Sequence, residues 1–155
     1  MRLEDKIIYD YAMSFVGLPY KWGGNDPMEG FDCSGLCIEI MQAVGYYPHK
    51  KDTTATGLYR YFRDVKKWDV NIKPSLGALV FYGSSIDLIS HVAFGLTDRL
   101  VLEAGSGGSR TKTKKDASDQ DAYIRIRPFN YRPDLQIVLN EVVTNERLNG
   151  LTQVS

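Results

Sequence analysis

Three residues in this chain have the types that covalent acyl-transfer chemistry needs. Cys33 follows a Gly-rich stretch and stands where helical periodicity begins. A helix N-terminus carries roughly half a positive charge and unpaired N–H groups. Both favour the thiolate, the attacking form of cysteine, and the same N–H groups can receive an oxyanion. His91 lies in a segment where His91, Ala93 and Gly95 alternate with Val92, Phe94 and Leu96. In a strand that alternation places the histidine on the face with small residues. Glu103 falls in the next strand-like segment. A cysteine nucleophile, a histidine base and an orienting carboxylate form the general triad pattern. Each also has a bland counterpart: a small buried hydrophobe for Cys33, a satisfied structural histidine for His91, and an edge carboxylate in water for Glu103. Cys37, one turn deeper on the same helix face, fits the buried role and is assigned no chemistry. His49 follows Tyr46-Tyr47-Pro48 in a turn-like segment and is expected at the surface.

Whether His91 and Glu103 meet depends on the hairpin between their segments. A three-residue loop at Leu96-Thr97-Asp98 would set Glu103 directly across from His91. A two-residue loop at Thr97-Asp98 would put them on opposite faces, because a slip of one residue flips the side chains. The sequence permits both. If they face each other, Glu103 orients the imidazole and favours its protonated form.

The elements that must position these residues follow from periodicity. Leu3, Ile7, Ile8, Tyr11, Ala12 and Phe15 recur at helical spacing over residues 3–16, ended by Gly17 and Pro19. Residues 17–31 are rich in Gly and Pro and read as a long loop, a length that often carries function. Leu36, Cys37, Ile40, Met41 and Val44 then share the face of Cys33, with Asp32 as N-cap and Gly45 as stop. Thr53 or Thr54 caps a short third helix through about Phe62. From Pro74 onward, residues 77–83, 90–96, 99–104 and 122–129 have strand texture. Residues 105–121 are Gly/Ser-rich and then charged, the texture of a mobile surface loop. Helices first and short-linked strands afterwards indicate an α+β domain with an antiparallel sheet.

The chain has 155 residues, 43% apolar and 25% charged, which suits one globular domain. Lys and Arg total 19, as do Asp and Glu. That balance removes the usual electrostatic case for a nucleic-acid partner. Two cysteines and two histidines make a structural zinc site hard to build. No stretch approaches the length of a membrane span, and residues 1–15 show no apolar run of signal-peptide type. The expectation is therefore a chain made as a soluble cytosolic protein, without membrane insertion.

The segments around the three candidate residues carry a resemblance. Leu18-Pro19-Tyr20-Lys21-Trp22-Gly23-Gly24, Asp32-Cys33-Ser34-Gly35-Leu36, Leu76-Gly77-Ala78-Leu79-Val80-Phe81-Tyr82, His91-Val92-Ala93-Phe94 and Glu103-Ala104-Gly105-Ser106-Gly107 occur in that order. Together they resemble the NlpC family of papain-like cell-wall cysteine peptidases, over about Ile7 to Tyr131. The resemblance implies a papain-like NlpC-type α+β domain over residues 1–132, with N-terminal helices packed on an antiparallel sheet. Residues 133–155 are left as a C-terminal extension, in which LQIVLNEVV is either a strand or a docking helix. The resemblance implies Cys33 as nucleophile and His91 as base. It puts Glu103 where the family usually has His and sometimes Asn or Gln, so Glu is a departure. Ala78 also departs from the family's usual Asp. Tyr20 matches a tyrosine whose hydroxyl lies near the nucleophile and helps bind substrate or form the oxyanion site. Asp32 and Ser34 match positions that in some relatives hold a free amine of the substrate.

The function implied is peptidoglycan hydrolysis. An amide bond of the stem peptide, for instance after γ-linked D-glutamate, would be cut through an acyl-enzyme by a Cys33-His91-Glu103 triad, with no metal or organic cofactor. The expected partner is the stem peptide. A bacteriophage lysin or tail-associated enzyme with a phage structural partner, a cytosolic muropeptide-recycling enzyme and an exported effector all suit the N-terminus. The rival from another class is an assembly or binding module, such as a tail component, that keeps the fold without turnover.

Overall fold

We describe residues 1–142 in a computed structural model of the chain; the rest of the expected extension, 143–155, lies outside the described residues. Helix α1 spans Leu3–Met13 and turns its buried side, centred on Ala12, toward the core. The expected loop that follows contains a small antiparallel pair, β1 (Asn25–Asp26) and β2 (Gly30–Phe31). Helix α2 spans Cys33–Ala43 and buries Leu36, Cys37, Ile40 and Met41. Helix α3 (Ala55–Arg60) starts at Thr54, whose side chain accepts the Gly57 N–H, and runs into a π-helical turn at Tyr61–Val65.

The remaining strands are β3 (Asp69–Asn71), β4 (Leu79–Gly83), β5 (Ile89–Gly95) and β6 (Leu100–Ala104), then, after helix α4 (Lys114–Asp119), β7 (Ile124–Pro128) and β8 (Leu135–Asn140). They form one sheet in the order β3-β8-β4-β5-β6-β7, antiparallel at every pairing. This is the expected α+β arrangement of helices on an antiparallel sheet. Strand alternation gives the sheet two apolar faces. Leu79, Phe81, Val92, Phe94, Leu102 and Ile124 join the helices in the main core. Ala78, Val80, Tyr82, Ala93, Val101 and Val138 form a smaller cluster on the other face, closed by Phe129 and Tyr131. Burying each large side chain contributes roughly 1.5–3 kcal/mol.

The structure corrects three expectations. The domain does not stop at residue 132: β8 is an inner strand, paired with β4 from Leu79↔Leu139 to Gly83↔Leu135. Every residue of β4 is buried, so β4 needs a hydrogen-bonded neighbour on both sides, and the LQIVLN segment is that neighbour. Residues 105–121 are not a structureless loop. Thr113 and Asp116 form a reciprocal capping box that starts α4, and the fully buried Thr111 hydroxyl donates to Gln120 Oε1 at 2.5 Å. The hairpin between β5 and β6 takes neither of the two loops considered. Leu96 bonds Leu100, Phe94 pairs Leu102 and Gly95 pairs Val101, so the turn is Thr97-Asp98-Arg99. That register sets Glu103 level with Ala93, diagonal to His91 but on the same face.

Candidate active site

Cys33 is the first residue of α2, and the local sequence explains why the helix starts there. Asp32 has extended backbone and its Oδ1 accepts the Gly35 N–H at 2.7 Å. Its Oδ2 accepts the Gly23 N–H at 3.2 Å, tying the Gly-rich loop to the helix start. The Leu36 N–H bonds the Asp32 carbonyl. The remaining N–H groups of the first turn, those of Cys33 and Ser34, have no intrahelical acceptor and sit beside the thiol. Gly35 is required for close approach: a methyl group there would overlap the Gly24 carbonyl oxygen.

His91 is positioned by an irregularity in β5. It pairs with Tyr82, but the next pair is Gly83↔Ile89, so an extra residue bulges beside the histidine. Bulges of this kind re-aim side chains next to sites. The imidazole lies 5.5 Å from the Tyr82 ring, centroid to centroid, and is 7% exposed. Its Nε2 is 2.7 Å from Glu103 Oε2, which leaves Nδ1 to serve Cys33.

Glu103 is 1% exposed. Its Oε2 also accepts from the Tyr131 hydroxyl, and its Oε1 accepts from Arg127 Nε at 3.2 Å. Burial pushes the Glu103 carboxyl up, but bonds from His91 and Tyr131 and the Arg127 charge outweigh it and hold the group below its ordinary value. Burial pulls the His91 imidazole down, yet Cys33 and Glu103 together raise it to about 9. The histidine is thus held protonated at neutral pH beside the Glu103 carboxylate. The arrangement can supply a proton to a departing amine next to a sulfur nucleophile.

The cleft in front of Cys33 has a volume of about 730 Å³, a size suited to a small ligand or a few residues of peptide. Cys33 and His91 line it together with Tyr20, Asp32 and Ser34, so the structure brings all six sequence-selected residues to one place, Glu103 standing behind the imidazole. Tyr20 is buried, and burial with the nearby Cys33 and Asp32 raises its hydroxyl far above the ordinary phenol range. Its ring packs so closely on Gly107 that a side chain at Gly107 would collide with it. Ser34 donates its hydroxyl to Asp32 Oδ1 at 3.2 Å. Burial raises Asp32, against the Gly35 and Ser34 bonds, and Asp52 adds to the rise. Asp32 and Asp52 both line the cleft and make that end acidic.

Residues 105–108 also line the cleft, and the following segment is stitched to the Tyr20 loop by the Trp22 N–H to the Thr111 carbonyl at 2.7 Å. His49 is exposed and does not line the cleft. Among the described residues no group of three or more His, Cys, Asp or Glu side chains is arranged to hold a metal ion.

Sequence reasoning missed Arg127, Tyr131, Arg132 and Asp52. Arg127 had a faint signal: Arg125 and Arg127 alternate with Ile124 and Ile126 on the strand beside Glu103. Tyr131 and Arg132 come from the connection to β8, which local pattern does not place.

Residues 17–127 match the family model described as the NlpC/P60 family. The chain belongs to the NlpC/P60 family. It is 29% identical over 127 residues to the probable peptidoglycan endopeptidase LytE of Bacillus subtilis, covering 80% of this chain and 34% of that protein. It is 31% identical over 113 residues to the peptidoglycan endopeptidase RipA of Mycolicibacterium smegmatis, covering 65% of this chain and 21% of that one. The chain thus spans about a third or less of the length of these relatives. Among solved structures, RipD from Mycobacterium tuberculosis superposes with a TM-score of 0.62 at 18% identity, covering 92% of this chain and 100% of that one. RipD is described as a non-catalytic NlpC/p60 domain protein adapted to peptidoglycan binding; at that identity the likeness speaks for the shared fold alone.

Proposed function

We propose that this NlpC/P60 domain is a cysteine peptidase that hydrolyses an amide bond of the peptidoglycan stem peptide. The observation that carries the reading is the placement of Cys33 and His91 on one cleft, with the far imidazole nitrogen held by the buried Glu103. The likeness to the peptidoglycan endopeptidases LytE and RipA supplies the substrate class.

The chemistry follows from the atoms present. Cys33 Sγ attacks the carbonyl carbon, and the carbonyl oxygen becomes an oxyanion received by the N–H groups at the start of α2. The C–N bond then breaks as His91 passes its proton to the leaving nitrogen, giving a thioester and a free amine. Neutral His91 next takes a proton from water as the water oxygen bonds the acyl carbon. The C–S bond breaks, the acid departs, and the thiolate–imidazolium pair is restored. Tyr20 contributes its hydroxyl to the oxyanion side or to substrate. The acidic end formed by Asp32 and Asp52, with Ser34 beside it, suits a free substrate amine, and cleavage after γ-linked D-glutamate is the bond this reading favours.

Purified protein and a Cys33→Ala variant are to be incubated with walls of diaminopimelate and lysine type and the products read by mass spectrometry. New fragments that require Cys33 are expected, and they name the bond. Binding to walls with no fragment from either type would refute the peptidase reading and make the domain a peptidoglycan-binding module.

A further inference from the structure

Glu103 has more partners than orienting one imidazole requires. Its carboxylate is almost wholly buried, and three donors from three different segments converge on it: His91 Nε2 from β5, Arg127 Nε from β7 and the Tyr131 hydroxyl from the β7–β8 connection. The Arg127 guanidinium also lies over the Tyr131 ring, 5.2 Å from its centroid, so the two added donors brace each other.

The reaction proposed above shows why two partners beyond the histidine matter. An isolated buried imidazolium–carboxylate pair is a trap for the proton. Once the imidazole gives its Nδ1 proton away, its Nε2–H still donates to Glu103, but the buried carboxylate has lost the histidine's counter-charge, which is unfavourable. Yet His91 must release its proton to the leaving amine and then persist as a neutral base toward water. We propose that Arg127, together with Tyr131, is a positioning residue that supplies the standing counter-charge and hydrogen bond of Glu103 whenever His91 is neutral, and so sets how readily His91 parts with its proton. Arginine suits the task because its charge never comes off. This role rests on the hydrolase reading for its use in catalysis, but not for its effect on the imidazole.

The other groups around the pair do not substitute for it. Cys33 on α2 and the Glu103 carboxylate on β6 are the two groups that raise His91, and the Tyr82 ring on β4 lies beside it. Tyr82 donates to the Phe129 carbonyl at 2.6 Å. Arg132 is forked onto Asp134, at 3.0 and 2.6 Å. Arg125, opposite Glu103 in the β6–β7 register, turns to Asp121 instead.

The test is a titration of the His91 imidazole by nitrogen-15 NMR in a Cys33→Ala background, where no turnover is needed; His49 is assigned by its own replacement. Removing the arginine cation makes the imidazolium hold its proton more tightly, so Arg127→Gln is expected to move the His91 midpoint to higher pH. Tyr131→Phe is expected to move it the same way, Arg127→Lys to restore most of the parent value, and Arg125→Gln to leave it in place. With Cys33 intact and a stem-peptide substrate, Arg127→Gln is expected to lower kcat about tenfold, the order lost with one hydrogen bond to a buried charge, without raising KM and with acyl-enzyme accumulating. An unmoved or lowered His91 midpoint in Arg127→Gln would overturn the proposal. Should that variant not fold, Arg127→Lys and Tyr131→Phe carry the same comparison, and an unmoved midpoint in Tyr131→Phe would overturn it. A domain that cuts no wall material refutes the hydrolase reading, while the titration still decides this one.

Discussion

Replacing Glu103 by Gln tests the His91–Glu103 pair through folding stability, with no substrate involved. His91 titrates at about 9 against an ordinary 6.5. A folded-state value raised in this way stabilises the protein while the imidazole is charged. The contribution is present in full below the ordinary value and disappears as pH rises through about 9. Its full size is about 3 kcal/mol, and because Cys33 shares in raising His91, Glu103→Gln removes a part of that. Glu103 works in the other direction. Its carboxyl is held low, so its own contribution is lost only as pH falls through that lowered value. Working near neutrality and above leaves it intact. The variant also strips Arg127 of its anion, but arginine stays charged throughout, so that loss is a constant offset. Urea unfolding of parent and variant at about pH 6 and about pH 10 separates the two effects. The variant is expected to lose on the order of 1–3 kcal/mol more at the lower pH than at the higher. A destabilisation that is equal at both pH values, or larger at the alkaline one, would refute the argument that Glu103 holds the His91 proton.

Three further outcomes follow from the same geometry. Gly35→Ala is expected to push the Gly23–Gly24 segment off the start of α2, because the added methyl meets the Gly24 carbonyl; a loss of roughly 1–3 kcal/mol in denaturant unfolding is anticipated, and unchanged stability would contradict the close approach. Asp32→Ala removes the cap of α2 and its hold on Gly23; about 1 kcal/mol should be lost, with Asp32→Asn retaining most of it, as measured by thermal or urea unfolding. Iodoacetamide is expected to label Cys33, which opens on the cleft, and to spare Cys37, which is 0% exposed and whose thiol burial pushes well up; peptide mass mapping that found equal labelling in the folded protein would contradict this packing.

Local pattern was enough for much of the framework. Helical spacing placed α1 and α2, and strand alternation placed β4 to β7, because each depends on residues a few positions apart. The start of α2 was equally local: an Asp at the cap accepting from a Gly three residues on needs nothing beyond those residues. Alternation within 90–96 put His91 on the face of Ala93, away from Phe94, and the sheet keeps that division. Ordered motifs around Cys33, His91 and Glu103 were likewise visible in the linear sequence.

Tertiary structure decided what depends on partners distant in the chain. β8 reads equally as strand or helix alone, and becomes an inner strand only because the wholly buried β4 offers it a free edge. The capping box of α4 was written in the sequence, but its value depends on Thr111 being buried against Gln120 and held to Trp22. Whether Glu103 meets His91 was settled by a turn at Thr97-Asp98-Arg99, neither of the two the sequence permitted, which keeps the two on one face and makes their contact diagonal. Arg127 and Tyr131 reach Glu103 only after β7 and the segment beyond it fold back beside β6. The sequence therefore determined which groups were available and which way their own element turned them. The surroundings that hold Glu103 ionised and His91 protonated arise from side chains that sequence separates and the sheet gathers, because burial and charge pairing are properties of the assembled interior.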